Sequence, residues 1–324
     1  MSQIMRREFY FQFHINQNCN LRCFHCYQGD YKVGEPDSGV SLFQIGEYIL
    51  SALKQWNYLG RIALTGGEPF LNPYLWLLLD MFNSSDRVNT LTILSNGTLI
   101  GEEQTARLAH ISKLREVQIS LDGARAETHD NIRGDGSFDK AIDGIRQLKK
   151  ADIPVAIMFT LMPQNMTEAI SLLELAKHEK IEYVTIERAV SCKNSGRTVG
   201  LISPDQLHGI YREVHAWAEN QSDGSHKVIV RRRRPLWILL SDEIGGFCPA
   251  GFSSLAILED GTILPCRRME IPIGNVLSDG GIFKTWYTSD VLWRLRKRTE
   301  LGGNCGTCNY ISSCSGCRAV AYSA

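Results

Sequence analysis

The sequence predicts an α/β fold: a partial (β/α)6 TIM-like barrel with a small C-terminal cluster-binding extension. Two observations carry the barrel. Runs rich in β-branched and aromatic residues alternate with amphipathic helical stretches from about residue 9 to 190. The connections between successive runs are long enough for helical crossovers, as parallel pairing requires. A third observation sets the extension apart, because from residue 248 onward Cys, Gly and turn residues replace the alternation.

In chain order, strands are expected at 9–15, 61–65, 90–95, 117–121, 155–161 and 183–187. Helical periodicity fills the gaps at 42–56, 73–82, 102–111, 138–150 and 166–178. Several strand runs read as apolar on both faces, as a covered parallel sheet needs. Six units fall short of a full eight-stranded barrel. In barrels of this kind the site gathers at the C-terminal ends of the strands. Residues 1–190 therefore form the barrel in this reading.

Residues 191–247 form a bridging helical region. Ser203-Pro204-Asp205 looks like a helix start, with 207–218 as its body. Arg231 to Arg234 reads either as a solvated run or as a docking patch for an acidic partner or a carboxylate-rich substrate. Trp217, Trp237 and Trp286 are expected to serve core or cap packing. Residues 248–324 hold many turns and little material for a core, so a metal or cluster staple is expected there.

Composition excludes several classes. Apolar residues make up 44% and charged residues 22%, which permits a packed core and argues against general disorder. Lys plus Arg is 35 and Asp plus Glu is 35, and a net charge of zero argues against bulk nucleic-acid binding. The first residues, MSQIMRREFYFQFH, contain no apolar signal core. The longest apolar runs, such as 75–79, are too short to span a bilayer. A cytoplasmic protein with no membrane span is expected.

Ten cysteines break this plain picture. Cys192 stands apart and reads as a small buried apolar residue. The others fall into two groups near the chain ends, and in a cytosolic setting such groups are more often metal sites than disulfides. Zinc competes with iron–sulfur clusters for the C-terminal group, because CxxC pairs serve either. In the N-terminal group, CNLRCFHC, Cys19, Cys23 and Cys26 follow the first expected strand. Three thiolates on one loop can hold three irons of a cubane and leave the fourth open, unlike four-cysteine ligation that closes the cluster.

With this motif the chain resembles the radical S-adenosylmethionine (SAM) superfamily, which binds its catalytic [4Fe-4S] cluster with Cx3CxφC. Here φ, usually aromatic, is His25. The resemblance implies that SAM chelates the open iron. Its reductive cleavage then gives a 5′-deoxyadenosyl radical that takes hydrogen from a substrate. Thr65-Gly66-Gly67-Glu68-Pro69 looks like the family's GGEP motif, where glycines let the backbone approach SAM and Glu68 helps receive its ammonium group. Ser95-Asn96-Gly97 and Ser120-Leu121-Asp122-Gly123 resemble stretches where relatives place polar groups near the ribose and carboxylate of SAM. Each of these also reads as an ordinary strand-end turn. Arg188 is a candidate for the SAM carboxylate or for a surface pair.

The later cysteines are similar to the SPASM extension of radical SAM maturases. Cys248 is followed by twelve residues, Gly261, four residues and Cys266, and then by Cys305-x2-Cys308-x5-Cys314-x2-Cys317. The last spacing is one residue shorter than the family pattern, and its downstream cysteine is missing before Ala324. By position, the resemblance implies one auxiliary [4Fe-4S] cluster on Cys248, Cys266 and Cys317, and a second on Cys305, Cys308 and Cys314.

The function implied is SAM-dependent radical modification of a peptide or protein: a cross-link, an oxidation or an epimerisation. The alternative within the class is a small-molecule enzyme, such as one that decarboxylates a tetrapyrrole. The alternative of another class is a non-catalytic iron–sulfur electron carrier, which predicts no SAM affinity and leaves the GGEP match unexplained. Implied partners are a substrate and an electron donor such as flavodoxin or ferredoxin. About eight residues precede the first expected strand. That leaves leader recognition to a separate leader-binding protein or to other surfaces.

Overall fold

The computed structural model describes residues 7–28, 39–190, 199–222, 226–232, 235–241, 243–278, 281–297, 301–314 and 316–323. Six strands, β1 (Glu8–His14), β2 (Leu59–Thr65), β3 (Val88–Ser95), β4 (Leu114–Ser120), β5 (Val155–Leu161) and β6 (Tyr183–Arg188), pair side by side in sequence order, all parallel. The crossovers carry α1 (Gly39–Trp56), α2 (Leu75–Ser84), α3 (Glu102–Leu108), α4 (Ala126–Arg133), α5 (Ser137–Lys150) and α6 (Ala169–His178). After β6 come α7 (Pro204–Glu219) and β7 (Ile229–Val230), a two-residue strand parallel to β6. The partial barrel is thus the fold observed.

Period-two alternation decides which face is covered. Phe9, Phe11 and Phe13 of β1, Ile62 and Leu64 of β2, Val117 and Ile119 of β4, and Ile157 and Phe159 of β5 all enter one core with the helices. Burying each such side chain is worth roughly 1.5–3 kcal/mol. The residues between them point to the other face. They include Tyr10, Gln12 and His14 of β1, Ala63 of β2, Gln118 and Ser120 of β4, and Ala156, Met158 and Thr160 of β5, with Thr90, Thr92 and Leu94 of β3 and Thr185 and Glu187 of β6 at the matching positions. The expectation of strands apolar on both faces is met in part of β2 and β5, through Ala63, Ala156 and Met158, and not in β1 and β4, where Gln12, His14, Gln118 and Ser120 take the second face. Helices cover one side only, and the concave side mixes amide and hydroxyl groups with a few small or flexible apolar ones.

α4 escaped the sequence reading because its buried residues are His129, Ile132 and Arg133, with a single apolar member and so no apolar period. The C-terminal stretch also differs from expectation. β8 (Ser254–Ile257) lies parallel to β1, and β9 (Thr262–Leu264) and β10 (Gly274–Asn275) extend the sheet antiparallel. Leu255, Ile257, Ile263, Val276, Ile282, Trp286 and Leu292 join the main core, helped by α8 (Gly281–Thr288) and α9 (Asp290–Arg296). Trp286 meets Phe9 edge-on at 4.9 Å. The shortage of core holds only for the last stretch. Among the described residues from 301 to 323, the buried apolar side chains are Cys314 and Ala319.

Trp237 and Trp286 are buried and Trp217 packs against the core, as expected. The docking reading fails for the first two arginines of the basic run. Arg231 grips buried Glu116 and lies over the Tyr183 ring at 4.5 Å, and Arg232 pairs with Glu219 at 2.7 Å. Arg233, Arg234 and Cys192 lie outside the described residues. Among the described residues no helix is long and apolar enough to cross a membrane.

Candidate metal centre and cofactor site

The cysteine loop leaves β1 and stays zipped to the end of β2. The Ile15 amide donates to Thr65 O at 2.8 Å, the Gly67 amide to Asn16 O at 2.9 Å, and the Glu68 amide to Asn18 O at 2.7 Å. Asn16 Nδ2 returns a bond to Glu68 O at 3.0 Å. A Cβ on Gly66 would sit 2.1 Å from Asn16 Oδ1, and one on Gly67 would sit 2.1 Å from Asn18 O. The close approach that these glycines permit is thus to the cysteine loop. Pro69 is buried and opens a single helical turn capped by Glu68.

Glu68 is also reassigned. Its carboxylate is fully buried and accepts from Ser95 Oγ at 2.8 Å, the Asn96 amide at 2.8 Å and the Phe70 amide at 3.2 Å. Burial pushes its pKa up to about 7 against the pull of those bonds. It ties the ends of β2 and β3 together rather than facing a ligand. Ser95 Oγ is occupied there and also accepts from the Gly97 amide. Asn96 faces the cysteine loop: its Nδ2 donates to Asn20 Oδ1 at 2.9 Å and lies 3.8 Å from Cys19 Sγ. The ribose and carboxylate roles expected of Ser95 and Asn96 are accordingly not what their side chains do here.

A second brace comes from beyond β4. The Phe24 amide donates to Ile132 O at 2.8 Å, fastening the loop to α4. Arg133, 7% exposed, donates through Nε to Asp122 Oδ2 at 2.6 Å, and its Nη1 lies 3.7 Å from Cys23 Sγ. His25 Nε2 meets the same Asp122 oxygen at 3.3 Å, and the Thr160 amide donates to the other at 2.7 Å. Asn165 Nδ2 holds the Asp122 carbonyl at 3.0 Å, and the Asp122 amide donates to His129 Nδ1 at 3.1 Å. Asp122 is therefore an interior anchor, not the ligand-facing group expected. Burial pushes its carboxyl up, but Arg133, His25 and the Thr160 amide together hold it below the ordinary value. Burial lowers His25 to about 4 despite Asp122, so the ring is neutral at pH 7. Nε2 then carries the proton toward Asp122. Nδ1 remains a buried acceptor without a partner.

Ser120 ends β4, half-buried on the polar face. Arg188 ends β6 and its carbonyl accepts from Arg268 Nη1 at 2.9 Å. A cleft of about 390 Å3 opens beside the loop, lined by Phe24, Arg125, Thr128, Asn131, Ile132 and Gln164 among others.

The sulfur environments fit iron–sulfur ligation. Burial pushes the Cys23 thiol up to about 11, and the Cys19 thiol is raised for the same reason. Thiolates there need cationic or N–H neighbours. The Leu21 amide supplies one to Cys19 at 3.4 Å, and Arg133 supplies one to Cys23. In the C-terminal group, burial lifts Cys248 to about 11, with the nearby Cys317 and Cys266 adding to the rise. Arg268 Nη2 lies 3.5 Å from Cys317 Sγ and 3.3 Å from Glu187 Oε2. Cys314 Sγ accepts from the Leu236 amide at 3.3 Å, and a Cβ on Gly316 would lie 3.4 Å from Cys305 Sγ. Cys305 is exposed and Cys308 half-buried. Among the described residues no three His, Cys, Asp or Glu side chains converge as they would around one metal ion.

Sequence reading missed Asn16, His129, Arg133, Asn165 and Arg268. One signal was available: His129 and Arg133 lie four apart, on one helical face, just after Asp122.

Residues 14–176 match the family described as the radical SAM superfamily, and residues 248–318 match the SPASM iron–sulfur cluster-binding domain. The AdoMet-dependent heme synthase of Methanosarcina barkeri is 27% identical over 330 aligned residues, covering 96% of this chain and 91% of that protein. Mycofactocin maturase MftC of Mycobacterium tuberculosis is 28% identical over 320, covering 94% of this chain and 76% of that protein. The crystal structure of Streptococcus suis SuiB bound to SAM superposes with a TM-score of 0.77 at 16% identity, over 97% of this chain and 73% of that one. SuiB has the same TM-score in its complex with precursor peptide SuiA.

Proposed function

This chain belongs to the radical SAM superfamily, and we propose that it modifies a peptide substrate, with Cys19, Cys23 and Cys26 holding the catalytic cluster. It is a radical SAM enzyme whose cofactors are SAM and [4Fe-4S] clusters. When bound, the reduced cluster supplies one electron to SAM, whose cleavage provides the hydrogen-abstracting power. The protein's part is to hold, orient and shield. The glycines of β2's exit and the α4 brace fix the cysteine loop. His25 Nδ1, buried and unpartnered, accepts an N–H from SAM. Ser120 and Arg188, at the ends of β4 and β6, take its carboxylate. Cys248, Cys266 and Cys317 hold one auxiliary cluster, and Cys305, Cys308 and Cys314 a second. An electron donor of the flavodoxin or ferredoxin kind completes the system, and a separate leader-binding protein suits a peptide precursor.

The observation that carries the peptide reading is the set of amide and hydroxyl groups on the concave face. Gln12, Thr92, Gln118, Ser120, Thr160 and Thr185 offer amide and hydroxyl groups at the barrel mouth and down its wall. Such a wall matches a peptide backbone better than the broad apolar slot that a flat macrocycle needs. MftC, a maturase by name, and the SuiB–SuiA complex point the same way. The match with heme synthase along 91% of that relative favours a tetrapyrrole as the second reading.

One assay decides between them. Reconstituted enzyme, SAM and dithionite are given either short peptides encoded beside the gene or a propionate-bearing tetrapyrrole. The peptide reading expects 5′-deoxyadenosine to form in step with a mass change in a peptide. Decarboxylation of the tetrapyrrole, with every peptide unchanged, would overturn it.

A further inference from the structure

We propose that Arg133 tunes the catalytic cluster: its guanidinium, clamped by Asp122, donates to the Cys23 sulfur and makes the cluster easier to reduce. The inference rests on the reading that Cys19, Cys23 and Cys26 hold that cluster.

The geometry has three parts. First, Arg133 is nearly excluded from water, so its charge is little screened. Second, it is divided between two partners. Nε donates to Asp122 Oδ2 at 2.6 Å while Nη1 lies 3.7 Å from Cys23 Sγ. A planar guanidinium spans both; a point-like ammonium cannot. Third, the clamp is itself fixed. Asp122 is held by the Thr160 amide at 2.7 Å and by His25 at 3.3 Å, and α4 is tied to the loop through Phe24 N and Ile132 O. Among the described hydrogen bonds, the Cys19 sulfur is met only by the neutral Leu21 amide and Asn96 Nδ2, Arg22 donating instead to the Cys19 carbonyl, and no cationic donor reaches the Cys26 sulfur.

Hydrogen bonds and nearby charge at cluster sulfurs set the reduction potential. Reduction adds one electron, taken from the external donor, to a cluster ligated by three thiolates. A cation donating to one thiolate stabilises the added negative charge, so it raises the potential. Asp122 has the opposite sign and tempers the effect. Arg133 is a positioning residue: it acts through Cys23 and touches no reacting atom.

The test is a redox titration of the reconstituted holoenzyme followed by electron paramagnetic resonance, reading the signal that changes when SAM is added. Arg133→Met should disfavour reduction at least tenfold, which is 59 mV for one electron. Arg133→Lys should recover part of that through its charge. Asp122→Asn should shift the potential the other way, upward. Arg133→Met leaves a buried carboxylate unpaired and threatens folding, so the double variant Arg133→Met/Asp122→Asn is the safeguard. It keeps the site's net charge, and its potential should still lie below that of the wild type because the bond to sulfur is gone.

A potential unchanged in Arg133→Met, or shifts of the same sign in Arg133→Lys and Asp122→Asn, would overturn the inference and leave Arg133 a structural brace. A double variant equal to the wild type would reject the bond to sulfur. If the SAM-responsive signal survives in Cys19→Ala/Cys23→Ala/Cys26→Ala, the cluster reading falls and takes this inference with it. That outcome is distinct, because it leaves the wild-type signal with no ligands in this loop.

Discussion

The N-terminal cysteine loop and the C-terminal cysteine segment carry the same ligand type but are held in opposite ways. Residues 15–28 are zipped to β2, tied to α4 and faced by Asn96 and Arg133. Residues 301–323 contribute two buried apolar side chains among those described, and Cys305 stands exposed. Between them, β8 to α9 is welded into the barrel core. The fold therefore anchors the backbone that carries the first set of sulfurs, whereas the tail depends on what its sulfurs bind. A catalytic cluster needs one open iron beside a substrate, and an anchored loop suits that demand. An auxiliary cluster can shape its own surroundings.

The sharpest way to break this comparison is to remove each set in turn. Replacing Cys19, Cys23 and Cys26 with Ala should abolish SAM cleavage and remove about four of about twelve irons. The barrel should survive, since the core does not rest on those thiols. Iron analysis, 5′-deoxyadenosine assay and circular dichroism check the three parts. Chelating iron from the wild type should then open the tail. Limited proteolysis should cut first within 301–323 while 39–190 resists, because the tail has almost no core of its own. Equal resistance in both regions would reject the distinction.

A finer probe is Gly67→Ala. The new Cβ would lie 2.1 Å from Asn18 O, a backbone atom that cannot step aside cheaply. The loop must shift, at a cost of about 1–3 kcal/mol. SAM affinity should fall tenfold or more while the auxiliary irons remain, as equilibrium binding and iron counts would show.

The smallest effect is a pH slope. Glu68 has a raised pKa, about 7 when folded. Between the ordinary carboxyl range and pH 7 the folded state therefore holds a proton that the unfolded state has lost. Its stabilising contribution is present at low pH and declines as pH rises through about 7. The urea-stability gap between the wild type and Glu68→Gln should shrink across that window by at most about 1.4 kcal/mol per pH unit. A gap independent of pH would mean the carboxylate is better solvated than its burial implies.

Much of this was legible in the sequence. The alternation in FYFQFH and VAIMFTL marks strands β1 and β5 because aromatic and branched residues fit a half-buried pleat. Cysteine spacing marks both groups proposed to bind clusters. What stayed hidden were contacts between distant segments. Nothing in SLAI says that it pairs with β1, which lies more than two hundred residues away. The direction of a carboxylate is equally invisible: Glu68 and Asp122 sit at strand ends beside the site, yet both turn inward. Gly66 and Gly67 were rightly read as permitting close approach, but the approaching partner is set by where Asn16 and Asn18 come to lie.

Hydrogen exchange on the iron-free protein tests the central claim most directly. If the fold preforms the catalytic loop, the amides of Gly67 and Glu68, bonded to Asn16 O and Asn18 O, will be protected to nearly the degree of β1 and β2. Amides of 301–323 will exchange at once and gain protection only after reconstitution. Prompt exchange at Gly67 and Glu68 without iron, matching the tail, would contradict the account.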